Sequence, residues 1–440
     1  MPSDLVQTIG RGAGASTIAA AVEAEIARGR LAPAARLPAV RDLAGALQVS
    51  PATVAAAYRT LRQRGFVVTG RGRGTSVAAL PPVRVGLAEP PAGVRDLARG
   101  NPDPALLPPL AGALAGIDPA HKLYGGPTKL PELAELAAAE FAADGIAGEM
   151  AVTCGALDAL ERALQTELRP GDAVAVEDPS WPRIADLVRA LGLVVVPVAV
   201  DRHGLDPGQL ERALRAGARA VIVTPRGQNP TGAAVSAARG RALRALLARH
   251  PGVLALEDDY LARVAGAPYV PVHHQDGRWA VVRSLSKDLG PDLRLALVAG
   301  DQLTIARIEG RQHLGQGWAS HLLQQVAARL LGAAATGRRL AAAERTYTER
   351  RQALVAALAA RGIAAQGDSG LGVWVPLADE AAAVGGLLVR GWAVSPGERF
   401  RLRAGPGIRV TTATLAPAEA EALAEDLAEL ARPGGATYAG

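Results

Sequence analysis

From about residue 100 onward, short β-rich runs alternate with helical segments. The clearest runs cover residues 173–176, 193–198, 218–223, 253–256 and 279–282. Strands separated by helices indicate a doubly wound α/β domain with a mainly parallel sheet. Such sheets bind ligands beyond the carboxyl ends of their strands, so a functional site is expected in the residues that follow these runs.

The segments at these ends contain residues suited to chemistry. They read 153-TCGALDAL-160, 177-EDPSWPR-183, 224-TPRGQNPTG-232, 257-EDDY-260 and 284-SLSK-287. The last one ends in Lys287, and the only other lysines of the chain are Lys122 and Lys129. A primary amine can form a Schiff base with an aldehyde, and a guanidinium cannot. Lys287 is therefore the candidate reactive group, although a single lysine taken alone is more often a solvated surface residue.

The other segments each suggest a contact. Gly155 lies at a strand-to-helix turn whose free amides suit a phosphate. Trp181 suits either stacking on a planar ring or packing in the core. Asp258 ends an apolar run, where a buried carboxylate needs a cationic partner such as a protonated ring nitrogen. Asn229 and Tyr260 are suited to hydrogen bonding with a phenolate-like oxygen.

The positive charge of the chain lies at its beginning. The first 80 residues contain ten arginines and four acidic residues, whereas the remainder has 38 basic and 38 acidic residues. The whole formal charge of +6 therefore belongs to the first 80 residues. This asymmetry favours a polyanion-binding module joined to a neutral body, and the alternative is an arginine-rich surface without a partner.

The same 80 residues show the pattern of a winged helix-turn-helix. Apolar residues recur at helical spacing within 18–26, 40–47 and 54–61. Ser50 followed by Pro51 is a helix start, so the third helix begins with amides that can face a phosphate. Residues 66–68 and 75–77 flank a glycine-rich basic tip, which predicts a two-stranded ribbon. The third helix suits the major groove, and the tip suits the minor groove or the DNA backbone.

Several classes of protein are disfavoured by composition. No apolar run approaches the length of a membrane span, and MPSDLVQTIG lacks the features of a signal peptide, so we expect a cytoplasmic protein. Cys154 is the only cysteine and the seven histidines are scattered, which argues against a disulfide framework and a metal site. We expect a head at 1–78, a partly extended linker at 79–99 and a body at 100–435.

The head resembles the GntR-type DNA-binding domain through the segments RLPAVRDLA, VSPATVAAAYRTLRQRGFV and GRGRGTSV. This resemblance covers about sixty residues. It implies that the DNA contacts are Arg36, Arg41, Ser50, Thr53, Arg71, Gly72 and Arg73. Pro51 and Ala55 stand where many relatives have polar or basic side chains, so more of the recognition is expected from Arg41 and the wing.

The body resembles the fold-type I aminotransferases, which use pyridoxal 5′-phosphate, over nearly all of residues 100–432. The most specific segments are NPTG, EDDY and SLSKDLGPDLR. The resemblance implies a large doubly wound domain and a small C-terminal α+β domain at about 330–435. It implies Lys287 as the Schiff-base lysine, Asp258 on the pyridine nitrogen, Tyr260 and Asn229 on the ring oxygen, and Trp181 against the ring face.

The resemblance also assigns the remaining contacts. Ser284, Arg294 and the amides of Ala156 and Leu157 would hold the phosphate. Tyr124 matches a tyrosine that reaches the phosphate of the neighbouring subunit, which implies a homodimer. Arg409 matches the arginine that pairs with an effector or substrate carboxylate.

Four positions depart from the aminotransferase pattern. They are Lys129 and Ala296, where glycine is usual, Asp158, where glutamine is common, and Arg226, where a small residue or histidine is common. These departures leave the cofactor site intact and concern the amino-acid pocket.

A GntR-type head on an aminotransferase-like body is the architecture of the MocR/GabR transcription regulators, of which this chain is identified as a member. Relatives of this kind sense pyridoxal 5′-phosphate, or an amine that it captures, and regulate vitamin B6, γ-aminobutyrate or taurine genes. The GPDLRLA segment and the short linker favour the branch that represses vitamin B6 salvage. Two alternatives stay open: an active aminotransferase with a DNA-binding appendage, and a body that binds the cofactor without responding to it.

Overall fold

The computed structural model describes residues 2–27, 30–63, 65–70, 74–78, 89–120 and 123–431. The chain divides into two compact units. The first comprises residues 1–86, 169–173 and 185–195, and the second comprises 87–168, 174–184 and 196–440. Within the described ranges, no helix is long and apolar enough to cross a membrane.

The described residues of the head form four helices and a two-stranded ribbon. These elements are α1 Pro2–Ile9, α2 Ala15–Ala27, α3 Val40–Leu47, α4 Pro51–Gln63, β1 Val67–Gly70 and β2 Gly74–Val77. The predicted helices and ribbon are present, and α1 is an additional helix. Their apolar faces meet in one core, in which Ile18, Leu47 and Leu61 are completely buried. Leu5 and Ile9 of α1 complete this core.

Local contacts fix the start of α4 and the ribbon. The Ser50 hydroxyl accepts a hydrogen bond from the Thr53 backbone N–H at 3.1 Å, which is the predicted N-cap. The ribbon is antiparallel, with Val67 opposite Val77. The Tyr58 hydroxyl donates to the Pro38 carbonyl at 2.9 Å and ties α4 to the segment before α3.

The described part of the body is built on an eight-stranded mixed sheet. The strands of the body are β3 Arg95–Asp96, β4 Glu149–Thr153, β5 Ala173–Asp178, β6 Val194–Asp201, β7 Gly204–Leu205, β8 Ala218–Val223, β9 Leu254–Asp258, β10 Arg278–Ser284, β11 Ala296–Gly300, β12 Gly372–Pro376, β13 Trp392–Ala393, β14 Ser395–Pro396 and β15 Gly407–Thr411. The strand order in the eight-stranded sheet is β4-β11-β10-β9-β8-β5-β6-β7. Strands β8, β9 and β10 are parallel, as predicted, and β11 is antiparallel to both β10 and β4.

The described part of the body contains eleven α-helices. They are α5 Ala111–Ala115, α6 Pro131–Ala143, α7 Ala156–Glu167, α8 Pro182–Ala190, α9 Pro207–Arg215, α10 Ala237–Ala248, α11 Gln302–His313, α12 His321–Gly332, α13 Ala334–Ala360, α14 Glu380–Val389 and α15 Pro417–Ala431. Short 3-10 turns occur at Pro104–Leu106, Ala262–Val264, Pro291–Leu293 and Gly397–Arg399.

The C-terminal part forms a smaller α+β layer. Strands β12, β15 and β14 make an antiparallel sheet, and the apolar faces of α13 and α15 pack with it in one core. Strand β3 pairs in parallel with β13, with Arg95 opposite Trp392, and Leu97 is buried in the same core. The last residues of the predicted linker are thus an ordered strand of this layer.

Candidate functional site

Lys287 lies three residues beyond β10, at the carboxyl end of the central strands. Its ammonium group donates a hydrogen bond to the Gly100 carbonyl. Burial, together with the positive charge of Arg409, lowers the pKa of Lys287 to about 8. A substantial fraction of this amine is therefore unprotonated at mildly alkaline pH, which is the form that attacks an aldehyde.

Asp258 is the last residue of β9 and lies opposite Val282 of β10. Its side chain is buried, and its Oδ1 atom has no hydrogen-bond partner among the described residues. Burial, followed by repulsion from Asp259, raises the pKa of Asp258 to about 7. Such an unpaired carboxylate is stabilised by a cation placed against it, so Asp258 fits the protonated ring nitrogen of pyridoxal 5′-phosphate.

The neighbouring Asp259 has the opposite environment. Arg226 donates to its two oxygens at 2.8 and 2.9 Å, and the Arg283 Nε donates to Oδ2 at 2.9 Å. Asp259 and Arg283 are completely buried. The two adjacent acidic residues thus have different roles. Asp259 forms ion pairs with two arginines, whereas Asp258 has an oxygen that remains available to a ligand. Arg226, a departure from the aminotransferase pattern, belongs to this network.

The turn that contains Gly227 and Asn229 is contacted by both Tyr260 and Arg409. The Arg409 Nη1 donates to the Asn229 Oδ1 at 3.1 Å, and its Nη2 donates to the Ala98 carbonyl. The Tyr260 hydroxyl donates to the Gly227 carbonyl at 2.8 Å. Burial lowers the pKa of Arg409 to about 10, and its Nε has no partner among the described residues. Two hydrogen bonds therefore hold the guanidinium in place, while its buried Nε–H has no acceptor among the described residues.

The turn before α7 lies beside Arg294. Gly155 has a φ of 106°, which favours glycine, and a Cβ at this position would lie 2.9 Å from the Arg294 Nη2. The amides of Ala156 and Leu157 follow in the first turn of α7. The sheet register brings this turn to Ser284, because Ser284 pairs with Ala296 and Ala296 pairs with Thr153.

Asp158 strengthens the same turn. Its carboxylate accepts from the Cys154 backbone N–H at 2.9 Å and from the Arg162 Nε at 2.9 Å. The departure from glutamine at this position therefore supplies a cap and an ion pair. Together, the glycine turn, Arg294 and the helix amides fit a phosphate group.

Trp181 and Tyr124 have different exposures. Trp181 is partly buried, with the Arg183 guanidinium 5.8 Å from its ring centre. Tyr124 is 92% exposed, and its ring centre lies 5.6 Å from that of Trp318 in a T-shaped arrangement. Within the single chain, therefore, Tyr124 packs against Trp318 and faces outward.

Glu177 and Gln228 were missed by sequence reasoning. The buried Glu177 accepts from the Thr224 backbone N–H at 3.0 Å and from the Gln228 Nε2 at 3.2 Å. The same Gln228 nitrogen donates to the Pro179 carbonyl at 2.7 Å. Burial, aided by repulsion from Asp258, raises the pKa of Glu177 to about 7 against the lowering effect of these hydrogen bonds. Both residues lie inside the quoted strand-end segments, which was the available signal.

Four of the predicted DNA contacts lie in the described part of the head. Arg41 is exposed in the first turn of α3, and Arg36 is also exposed, with its backbone bridged to Ser76 of β2. The hydroxyls of Ser50 and Thr53 hydrogen-bond one another at 2.9 Å at the start of α4. The predicted contacts Arg71, Gly72 and Arg73 lie outside the described residues.

Comparison with known families matches both parts of the chain. Residues 15–77 match the bacterial regulatory proteins of the gntR family, and residues 93–427 match the class I and II aminotransferases. A GntR-type DNA-binding head followed by a fold-type I aminotransferase domain defines a class of transcription regulators. The chain belongs to the MocR-type regulators of this class.

Two curated regulators are similar to this chain. It is 41% identical to the vitamin B6 salvage pathway transcriptional repressor PtsJ of Salmonella typhimurium, over 94% of this chain and 97% of the relative. It is 32% identical to the pyridoxine biosynthesis transcriptional regulator PdxR of Corynebacterium glutamicum, over 56% of this chain and 57% of the relative.

Solved structures show the same fold for the body. A Pyrococcus horikoshii kynurenine aminotransferase is 23% identical with a TM-score of 0.70, covering 77% of this chain and 91% of its own. An archaeal alanine:glyoxylate aminotransferase is 26% identical with a TM-score of 0.69, covering 77% and 90%.

Proposed function

We propose that this protein is a transcription regulator whose DNA affinity responds to pyridoxal 5′-phosphate bound in the body, and that it controls vitamin B6 metabolism. The observation that supports the proposal most strongly is the buried, unpaired Asp258 carboxylate in the same strand-end region as the low-pKa amine of Lys287. The vitamin B6 assignment is supported by the names of the relatives PtsJ and PdxR.

The residues of the chain would divide the binding work. Bound pyridoxal 5′-phosphate supplies an aldehyde that bonds to a primary amine. Lys287 provides that amine, and Asp258 neutralises the cationic ring nitrogen. Arg294, Ser284 and the amides at the start of α7 hold the phosphate, Tyr260 and Asn229 serve the ring oxygen, and Trp181 covers the ring face.

The response requires only a modest coupling between the two sites. A coupling free energy of about 1–3 kcal/mol changes affinity by about 5- to 150-fold. We propose that cofactor binding stiffens a homodimer, to which Tyr124 contributes across the subunit boundary. A change in the spacing of the two heads would then alter affinity for paired half-sites. An amine captured by the cofactor, with its carboxylate on Arg409, is a second form of the same signal.

The test is a DNA-binding titration with cofactor-stripped protein. Fluorescence anisotropy would follow binding to the DNA upstream of the protein's own gene while pyridoxal 5′-phosphate is added at fixed salt, since salt alone shifts affinity. The expected result is a saturable change in DNA affinity that disappears in Lys287→Ala. Lys129→Ala is the matched control, because it removes an amine that instead pairs with Glu309.

Two results would contradict the proposal. One is an unchanged response in Lys287→Ala, and the other is a constant DNA affinity in parent protein that binds the cofactor. The second result would leave a body that binds without responding.

An active aminotransferase is the second candidate function. The observation that favours it is the fixed guanidinium of Arg409 beside Asn229, a geometry able to receive a carboxylate. Sustained conversion of an amino acid and an oxoacid over many turnovers would support it. Conversion limited to one equivalent per subunit would mean that the protein captures the amine without catalytic turnover, as a sensor does.

A further inference from the structure

The second compact unit contains a cavity that shares no lining residue with the cofactor site. Its volume is about 430 Å³, within the range of small-molecule sites. The walls come from β6 and α9 on one side and from β12 and the loop before β15 on the other. Lys287, Asp258, Tyr260 and Arg409 do not line it.

One cation on the wall is available for a ligand. Arg403 is exposed, and its guanidinium makes no hydrogen bond or ion pair with any residue in the described ranges. The one acidic residue lining the cavity is Asp178, whose carboxylate accepts from the backbone N–H groups of Leu402, Arg403 and Ala404 at 2.8, 2.7 and 3.0 Å. Because these amides already compensate Asp178, Arg403 can pair with an incoming anion.

The rest of the wall suits a ligand with a compact, largely apolar group. Pro197, Pro376 and Trp374 supply apolar surface. The Gln209 side-chain oxygen accepts from the Ala199 N–H at 3.0 Å, which leaves its amide NH₂ to donate. A guanidinium beside such a surface matches a molecule with one carboxylate or phosphate and a flat or aliphatic remainder.

The cavity is connected to the cofactor side by hydrogen bonds. Thr231 lines it, and the Thr231 hydroxyl donates to the Gln228 Oε1 at 2.6 Å. Gln228 in turn holds Glu177 and precedes Asn229, which accepts from Arg409. A ligand that displaces Thr231 would therefore also shift Gln228 and the turn that contains Asn229.

We propose that this cavity is a second ligand site, which binds a small molecule with a single anionic group through Arg403 and is linked to the cofactor side through Thr231 and Gln228. The site is separate from the proposed aldehyde response, and its occupancy does not require Lys287. The ligand is an organic acid or an organic phosphate that carries a compact apolar group.

Calorimetric titration of the full-length protein, saturated with pyridoxal 5′-phosphate, tests this proposal. The probes are 3-phenylpropionate and phenyl phosphate, which contain no amine and so cannot react with the cofactor aldehyde. The neutral 3-phenylpropanamide is the control ligand. We expect saturable binding of at least one anionic probe, with one site per chain, and affinity at least tenfold weaker for the amide.

Variants locate the site. Arg403→Gln is expected to weaken binding of the anionic probe at least tenfold, and Arg403→Lys, which keeps the charge, by less. Arg241→Gln, which removes an exposed arginine of α10, is the matched control and should bind as the parent does. Binding should persist in Lys287→Ala, so failure of the aldehyde response leaves this result intact. Thermal melting of each variant confirms folding.

Three outcomes would overturn the proposal. They are no saturable binding of either probe, equal affinity in folded Arg403→Gln, and loss of binding in Arg409→Gln with retention in Arg403→Gln. The last outcome would place the acid on the effector arginine.

Discussion

Replacing Asp258 with asparagine should stabilise the cofactor-free protein while weakening its affinity for pyridoxal 5′-phosphate. Asp258 is buried, and one of its oxygens has no partner within the described ranges. Asparagine keeps the size of the side chain and removes the charge. The two effects have opposite signs because the buried charge is unfavourable alone and favourable against a cation.

The size of the stabilisation follows from the pKa of Asp258, which is raised from 3.8 to about 7. A shift of about three units corresponds to about 4 kcal/mol, at 1.36 kcal/mol per unit. The pKa is raised on folding, so the penalty is absent below about pH 4, grows between pH 4 and 7, and is complete above pH 7. The free energy of unfolding of Asp258→Asn should therefore exceed that of the parent by up to about 4 kcal/mol at pH 8. Near pH 4 the two proteins should be equally stable.

The assay compares urea unfolding of the two cofactor-free proteins at several pH values, with cofactor affinity measured separately by fluorescence. Asp276→Asn removes an exposed carboxylate and controls for the change of surface charge. A stability difference that does not vary with pH would refute the reasoning. So would an Asp258→Asn protein that binds the cofactor as tightly as the parent.

Three further changes test other parts of the structure. The rate of aldehyde capture should rise as pH increases through about 8, the pKa of Lys287, and a flat stopped-flow profile from pH 6 to 9 would contradict the assigned amine. Arg41→Gln should weaken DNA binding and reduce its salt slope by about 1, as measured by anisotropy; an unchanged slope would exclude a phosphate contact. Asp259→Ala should destabilise the body by about 3–5 kcal/mol, since Arg226 and Arg283 lose their shared carboxylate, and a loss below 1 kcal/mol in urea unfolding would contradict this network.

The strand ends were predictable because local pattern and sheet geometry agree there. Apolar runs ending in Asp258 and preceding Lys287 are visible in the sequence, and parallel pairing of β9 with β10 brings both to one edge. The N-cap at Ser50 was predictable for a similar reason, since it depends on residues only three positions apart.

Long-range pairings could not be read in the same way. The antiparallel strand β11 depends on its pairing with β10 and β4, and its apolar run has no local mark of direction. Glu177 and Gln228 are 51 positions apart, and their contact exists only because two loops meet. Helix α1 was not predicted, because its apolar residues are buried only through packing against α2 and α3.

The measurement that tests the central claim most directly is the affinity for pyridoxal 5′-phosphate with and without saturating operator DNA. Coupling between two sites is reciprocal, so DNA must change cofactor affinity by the same factor by which the cofactor changes DNA affinity. At fixed salt, the change in cofactor affinity caused by DNA should equal the change in DNA affinity caused by the cofactor in the parent protein. In Lys287→Ala, the cofactor should no longer change DNA affinity. A cofactor affinity that is identical on and off DNA would contradict the central claim.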